Sequence, residues 1–324
     1  MQQEMSFTQS GHPPTQEPTN SIGSPGSEKK TIPNTEQRPH TSASAITTYL
    51  DRCGEYYLQR YINKKRFPPL PFMLKGSAVH TGQELNFKQK IQSHADLSPS
   101  KVKEATAAAF DERIAKEGYM LTSKDETVGA SKILGLAKDS AVRLADLFIA
   151  KIAPLHQPIL VEQTQRIRLD EKTDIMVKMD MVNDRKEIQD SKTSKATMNI
   201  KTVQESFQFK LYGLAYRAIY KEDPAAVVID NMVDLKRGPK HTAFRLPMGQ
   251  RQYQAAVDKI NLFLYGTKTG VFMPAQKGSW FCNEDHCGWA RECKYYQFYK
   301  RGGGKTQLPP WMRFGKKKKT GVNP

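Results

Sequence analysis

Met179-Asp180-Met181-Val182-Asn183-Asp184-Arg185-Lys186-Glu187-Ile188-Gln189-Asp190-Ser191-Lys192 is the most informative stretch of the chain. Apolar residues flank a polar Asn-Asp-Arg turn, and this pattern predicts a hairpin. With Asp184 at the centre of the turn, paired residues sum to about 368. Asp180 then faces Ile188, and Asp190 faces Lys178. The two aspartates become diagonal neighbours on one face, roughly 7–8 Å apart at the backbone. Lys192, two residues beyond Asp190, points to the same face. Two hard carboxylates with open positions suit Mg²⁺ or Mn²⁺, which keep waters and accept phosphate oxygens. A nearby ammonium can orient water or stabilise charge on a phosphoryl transition state. Taken alone, Asp-x-Lys also describes an ordinary surface hairpin.

Outward from the hairpin, apolar residues recur at helical spacing. Helices are expected through Tyr49, Cys53, Tyr56, Tyr57 and Tyr61 behind a Ser42-Ala43-Ser44 cap, from near Leu74 through His80, and at about 99–117 and 129–153. The period then shortens. Strands are expected at Ile159–Leu169, Ile175–Val182 and Lys186–Gln189, a helix over Asn199–Tyr220, strands near Ala226–Leu235 and Thr242–Leu246, and a last helix over 249–265. The expected class is α/β, a small mixed sheet flanked by helices, with an N-terminal helical region and a C-terminal cysteine cluster. There is no internal repeat.

The 324 residues carry 50 Lys plus Arg against 33 Asp plus Glu, a net charge of +17, which points to a polyanionic partner, nucleic acid first. Residues 1–40 hold five apolar side chains and six prolines, a composition expected to be disordered. Residues 301–324 carry seven basic residues and no acid, and form a basic tail expected to be disordered. That leaves one domain over 41–300. No run of about 18 apolar residues exists, so no membrane partner is expected. The N-terminus lacks a basic and an apolar signal region. Four cysteines in a chain of this length make no disulfide scaffold, so a reducing, cytoplasmic setting is expected. No P-loop is present: Gly302-Gly303-Gly304-Lys305-Thr306 lacks the first glycine at the required spacing.

Three of the cysteines, Cys282, Cys287 and Cys293, are clustered, and Cys53 is remote. Four thiolates can hold a [4Fe–4S] cluster or a tetrahedral Zn²⁺, and the spacing lacks the paired knuckles of zinc ribbons. Basic and aromatic residues interleave at Tyr61–Phe67 and Lys294–Arg301, a mixture that suits single-stranded nucleic acid. Lys192, Lys195 and Lys201 could line a phosphate path. No helix-turn-helix or zinc finger is visible.

Gly76-Ser77-Ala78-Val79-His80, then Asp180, then Asp190-Ser191-Lys192, then Gln208 and Tyr212 four apart, follow one order. This order resembles the PD-(D/E)XK nuclease superfamily, and within it the RecB-like branch of AddB-type and CRISPR-associated spacer-acquisition nucleases. The Ser42-Ala43-Ser44 start leading to Cys53 also resembles that branch. The resemblance spans about 42 to 300 and implies a restriction-endonuclease-like core. It further implies that His80, Asp180, Asp190 and the Ser191 carbonyl are metal ligands, with Lys192 the catalytic lysine. Gln208 and Tyr212 would contact the nucleic acid strand. Cys53, Cys282, Cys287 and Cys293 would carry an iron–sulfur cluster that staples the two ends of the domain, with zinc the lesser occupant. One departure stands out: Val177 occupies a position where the family often has glycine.

The implied activity is metal-dependent hydrolysis of DNA, exonucleolytic on single-stranded or resected ends, in recombination, repair or replication. The implied setting is a bacterium, plasmid or phage, and the implied partner a helicase or recombination protein. Two other readings remain open: a catalytically weak nucleic-acid-binding scaffold that keeps the fold, and a zinc-stabilised RNA-binding module.

Overall fold

A computed structural model describes residues 39–301. Both expected tails, 1–40 and 301–324, lie almost wholly outside the described residues. The chain begins with a short strand β1 (His40–Ser42) and a helix α1 (Ala43–Thr47), whose N-cap Ser42 accepts from Ala45 N at 3.3 Å. The single helix expected through Cys53 is broken. Cys53 is extended (φ −164°, ψ 113°), and its Sγ accepts from Tyr56 N at the start of α2 (Gly54–Tyr57). The break is held from outside, because Gly54 N donates to Met273 O at 2.6 Å.

Three long helices follow: α3 (Pro71–Ser93), α4 (Pro99–Glu117) and, after the short α5 (Ser123–Val128), α6 (Ala130–Lys151). Pro71 sits at the start of α3, where its missing N–H costs nothing, so the helix begins three residues before Leu74. Then come β2 (Pro158–Arg168), β3 (Asp174–Asn183) and β4 (Glu187–Ser194). The helix expected over 199–220 divides at Ser206 into α7 (Ile200–Glu205) and α8 (Phe207–Tyr220), because Ser206 has a non-helical ψ of 122°. The fold closes with β5 (Ala226–Leu235), β6 (Gly238–Leu246), α9 (Gln250–Lys268) and α10 (Lys294–Lys300).

The strands form one six-stranded mixed sheet. β2 pairs antiparallel along β3, β4 pairs antiparallel with β3 and parallel with β5, and β6 closes the far edge. Opposite β2, the other edge of β3 is shared. β1 takes residues 174–176 in parallel, and β4 takes Met181 and Val182. Among the described residues, positions 177–180 of β3 therefore have no paired main chain on that edge.

Each face of the sheet buries its own core. On one side Ile175, Val177, Met179 and Ile229 pack against Phe209, Leu211 and Ala215 of α8 and against Phe263 of α9. On the other, Met181 and Met232 pack against Val79 and Phe87 of α3 and Leu144 and Phe148 of α6. Helices cover both faces, so β3 and β5 read as nearly continuous apolar runs.

Candidate active site

The hairpin register differs from the expectation. Met181 pairs with Gln189 and Val182 with Ile188, a sum of 370 rather than 368. The loop is Asp184-Arg185-Lys186, with Lys186 at φ 58° and its N–H on Asn183 O at 3.0 Å. A three-residue turn closed by a left-handed residue is a standard hairpin solution, and it moves the partner strand by two. Asp180 accordingly stands across from Asp190 rather than from Ile188, and Lys178 does not face Asp190. The ladder ends at Met181. The next donor, Ser191 N, finds the Asp180 Oδ2 carboxylate at 3.2 Å instead of a main-chain carbonyl.

Around this pair the expected residues assemble from four elements. His80 of α3 places Nδ1 3.2 Å from Asp180 Oδ2. Lys192 Nζ lies 2.8 Å from Asp190 Oδ1 and 2.6 Å from Oδ2, so one ammonium covers both oxygens. On α8, Gln208 Nε2 donates to Tyr212 Oη at 2.7 Å, and Tyr212 Oη donates to Asp190 Oδ1 at 3.2 Å. Lys192 Nζ also sits 5.7 Å above the Phe209 ring. His80, Asp180, Asp190, Ser191, Lys192, Gln208 and Tyr212 thus share one site, with Asp190 fully buried.

Burial penalises each charge here, and the neighbours decide the outcome. Burial raises the Asp190 carboxyl to about 6 despite Lys192. Burial disfavours the Asp180 anion too, but the His80 imidazole beside it brings its pKa below the usual value. Burial likewise disfavours charge on His80 and Lys192. Asp180 raises the first, Asp190 the second, so Lys192 remains an ammonium.

The sequence reading missed Glu162. It lies on β2, and one ligand atom from each of His80, Glu162 and Asp180 falls within 4.8 Å of the other two. It sits in no motif, in a stretch that reads as an ordinary strand. A buried network behind the site was missed as well. His241 Nε2 and Gln189 Nε2 contact Asp230 at 2.6 and 2.5 Å, and His156 Nε2 lies 3.7 Å away. Burial would raise Asp230, but these hydrogen bonds hold it well below the carboxylate range.

The four cysteines converge elsewhere. All are free thiols, and Cys53, Cys282, Cys287 and Cys293 line a single cavity of about 330 Å³ with Tyr56, Phe281 and Trp289. Tyr56 packs edge-on against Phe281 (4.8 Å) and Trp289 (4.5 Å). Cys53 Sγ accepts from Tyr56 N at 3.4 Å and Ala275 N at 3.3 Å. Burial pushes the Cys287 thiol up to about 11.

Comparison with known proteins agrees with this geometry. A model of the PD-(D/E)XK nuclease superfamily matches residues 40–294. The chain belongs to the PD-(D/E)XK nuclease superfamily. The chain is also similar to a crystal structure from Eubacterium rectale described as a "putative exonuclease", with a TM-score of 0.50 at 13% identity over 83% of this chain and 94% of that one. At that identity the likeness is one of fold. No curated protein matches the sequence. Nucleases of this superfamily generally use divalent metals, and the group of His80, Glu162 and Asp180 offers ligands for one. Their substrate is nucleic acid, and among the described residues no helix is long and apolar enough to cross a membrane.

Proposed function

We propose that this nuclease is a divalent-metal-dependent deoxyribonuclease, an exonuclease acting on single-stranded or resected DNA ends in recombination, repair or replication. The observation that carries this reading is the convergence of Asp180, Asp190 and Lys192 at a gap in the sheet, with His80 on one side and Tyr212 on the other. The donor set fits Mg²⁺ or Mn²⁺, since two carboxylates and a main-chain carbonyl are hard oxygen ligands. Lys192 Nζ lies on Asp190 and the His80 imidazole lies on Asp180, so both carboxylates already face a partner that a cation can replace or join.

His80, Asp180, Asp190 and the Ser191 carbonyl would hold the ion. Bound there, it would supply positive charge at the scissile phosphate and acidify an adjacent water. Lys192, kept protonated by the aspartates, stabilises the charge that develops as water adds to phosphorus and the ester P–O bond breaks. Tyr212 and Gln208 hold Asp190 in place and face the path of the strand. Lys195, which sits 5.7 Å over the Phe72 ring, extends that path with cation and aromatic surface.

The nuclease domain would span 41–300, with Cys53, Cys282, Cys287 and Cys293 holding a [4Fe–4S] cluster that ties its ends together. The cysteines fit such a group in number, in lining one cavity, and in main-chain N–H donation to sulfur. The cellular setting would be the cytoplasm of a bacterium or its phage or plasmid, with a helicase as a partner that feeds single strands.

The test is degradation of end-labelled single- and double-stranded DNA by anaerobically purified protein, beside Asp190→Ala and Lys192→Ala. Mg²⁺- or Mn²⁺-dependent cleavage lost in both variants is the expected result. A folded, metal-replete wild type that cleaves neither substrate would sink the enzyme reading in favour of a binding scaffold.

A further inference from the structure

We propose, building on the nuclease reading above, that Phe72 is a base-stacking platform at the mouth of the active site and selects an unpaired strand over a duplex.

Phe72 and Met73 open α3 directly behind Pro71. Their side chains are 45% and 46% exposed, and Phe72 belongs to neither buried core. Two adjacent large apolar side chains left in water mark a surface that something covers. The helix ties this surface to the site. Residues 72, 76 and 80 follow at intervals of four, so Phe72, Gly76 and His80 share one face of α3. Gly76 seats that face on β4: a Cβ there would meet Thr193 Oγ1 at 3.0 Å, one residue past Lys192. Eight residues of helix span about 12 Å. A strand advances about 3.4 Å per stacked nucleotide and more when extended, so a base on Phe72 lies roughly two to four nucleotides from a phosphate held at His80 and Lys192.

The charge around the ring fits a polyanion. Lys195, three residues beyond Lys192, places Nζ 5.7 Å from the Phe72 ring centroid, within reach of the phosphate of a base stacked there. Burial lowers the Lys75 pKa. Asp234 opposes that fall, and Lys195 and Arg143 add to it. Around Lys75, three cations thus stand against one carboxylate, and Arg143 already holds that carboxylate at 2.7 Å. The surplus is positive, and the exposed run Lys64-Lys65-Arg66 leads into the same end of α3.

An aromatic face set among cations accepts any base, because every base has a π-face and the cations follow the phosphates. In a duplex those faces are covered by the neighbouring pairs. Only an unpaired base can use the ring, so the platform makes single-stranded nucleic acid the substrate of this site.

The test is binding of the full chain, purified anaerobically and without added divalent ion, to labelled strands of about 12 nucleotides, followed by fluorescence anisotropy. The ligands are oligo-dT, the same strand with every base removed, and a blunt duplex. The proteins are wild type, Phe72→Ala and Phe72→Tyr. Phe72 lies outside both cores and alanine favours the helix, so the alanine variant folds. Wild type should prefer oligo-dT over the abasic strand by at least about tenfold. Phe72→Ala should cut that preference roughly tenfold while binding the abasic strand and the duplex as wild type does, and Phe72→Tyr should restore it. A Phe72→Ala protein that weakens on all three ligands alike, or on none, would overturn the platform, as would a wild type that binds no strand. Cleavage decides the nuclease reading separately: the expected binding pattern without Mg²⁺- or Mn²⁺-dependent cleavage would keep the platform and sink the enzyme.

Discussion

Replacing Cys53 tests whether the cysteine cavity is a staple. Cys53 and Cys282 are separated by about 230 residues, and a cross-link over a loop of that length removes about 5 kcal/mol of denatured-state entropy. For the roughly 260 described residues, an unfolding entropy of about 2.1 cal/mol/K per residue turns this into a fall in Tm of about 10 °C. The figure is an upper bound, because Gly54 N on Met273 O and the Tyr49 hydroxyl on Val271 O restrain the same two segments without any metal. Cys53 has a second task as the cap of α2, accepting from Tyr56 N, worth about 1 kcal/mol. Serine keeps the cap and loses the soft thiolate, so Cys53→Ser isolates the staple. The assay is thermal unfolding by circular dichroism of anaerobically purified wild type, Cys53→Ala and Cys53→Ser, with iron content alongside. If the proposed cluster is held there, both variants lose iron and melt lower by up to about 10 °C, Cys53→Ala about 2 °C further than Cys53→Ser because it also loses the cap. A Cys53→Ser protein without iron that melts within about 2 °C of wild type would refute the staple, since the loss would then belong to the cap.

Three further outcomes follow from the same structure. Tyr212→Phe removes a hydroxyl that donates to the buried Asp190 at 3.2 Å, and bonds to charged groups contribute about 1.5–3 kcal/mol. Because Gln208 Nε2 stands 3.4 Å from the same oxygen and takes up part of the loss, kcat/KM should fall roughly tenfold at unchanged Tm, and a change under about twofold contradicts the positioning role. Gly54→Ala puts a Cβ 2.7 Å from Met273 N and 2.9 Å from Met273 O, atoms of a main chain that cannot swing aside, so urea denaturation should show a loss of about 1–3 kcal/mol. Burial opposes charge on Asp234, but Arg143 overrides it at 2.7 and 3.2 Å and lowers the pKa below the usual value. A depressed carboxylate stabilises above its unfolded pKa and loses that contribution as pH falls through the folded value, so the gap between wild type and Asp234→Asn, about 1 kcal/mol at neutral pH in urea titrations, should begin to narrow near about pH 4 and close only at more acid pH.

The parts of the fold legible in the sequence are those written in local periodicity. The strand over Ala226–Leu235 and the helix over 99–117 occur where the apolar spacing puts them, because packing on both faces of the sheet rewards the same pattern that propensity favours. The site was legible to the same extent: Asp190 and Lys192 are two apart on one strand, and Gln208 and Tyr212 one turn apart on one helix, so their company is a local matter. The broken helix at Cys53 was not legible, since the extended φ there depends on a hydrogen bond to Met273, more than two hundred residues away.

Register is where local reading stopped. Whether Asp180 meets Ile188 or Asp190 depends on one residue, Lys186, accepting a left-handed conformation that its side chain does not advertise. That choice brings the two carboxylates face to face, and it ends the ladder so that Ser191 N turns to Asp180. Glu162 was hidden for the same reason one strand over. A glutamate in mid-strand reads as solvent-facing, and only its positive φ and the β2–β3 register bring it to His80 and Asp180. The charges that matter most in this nuclease are therefore placed by backbone departures at Lys186 and Glu162, positions where the local propensity of the residue and its conformation disagree. Such disagreement is expected where function outweighs ideal geometry, and it locates the chemistry at the two edges of β3 rather than along its face.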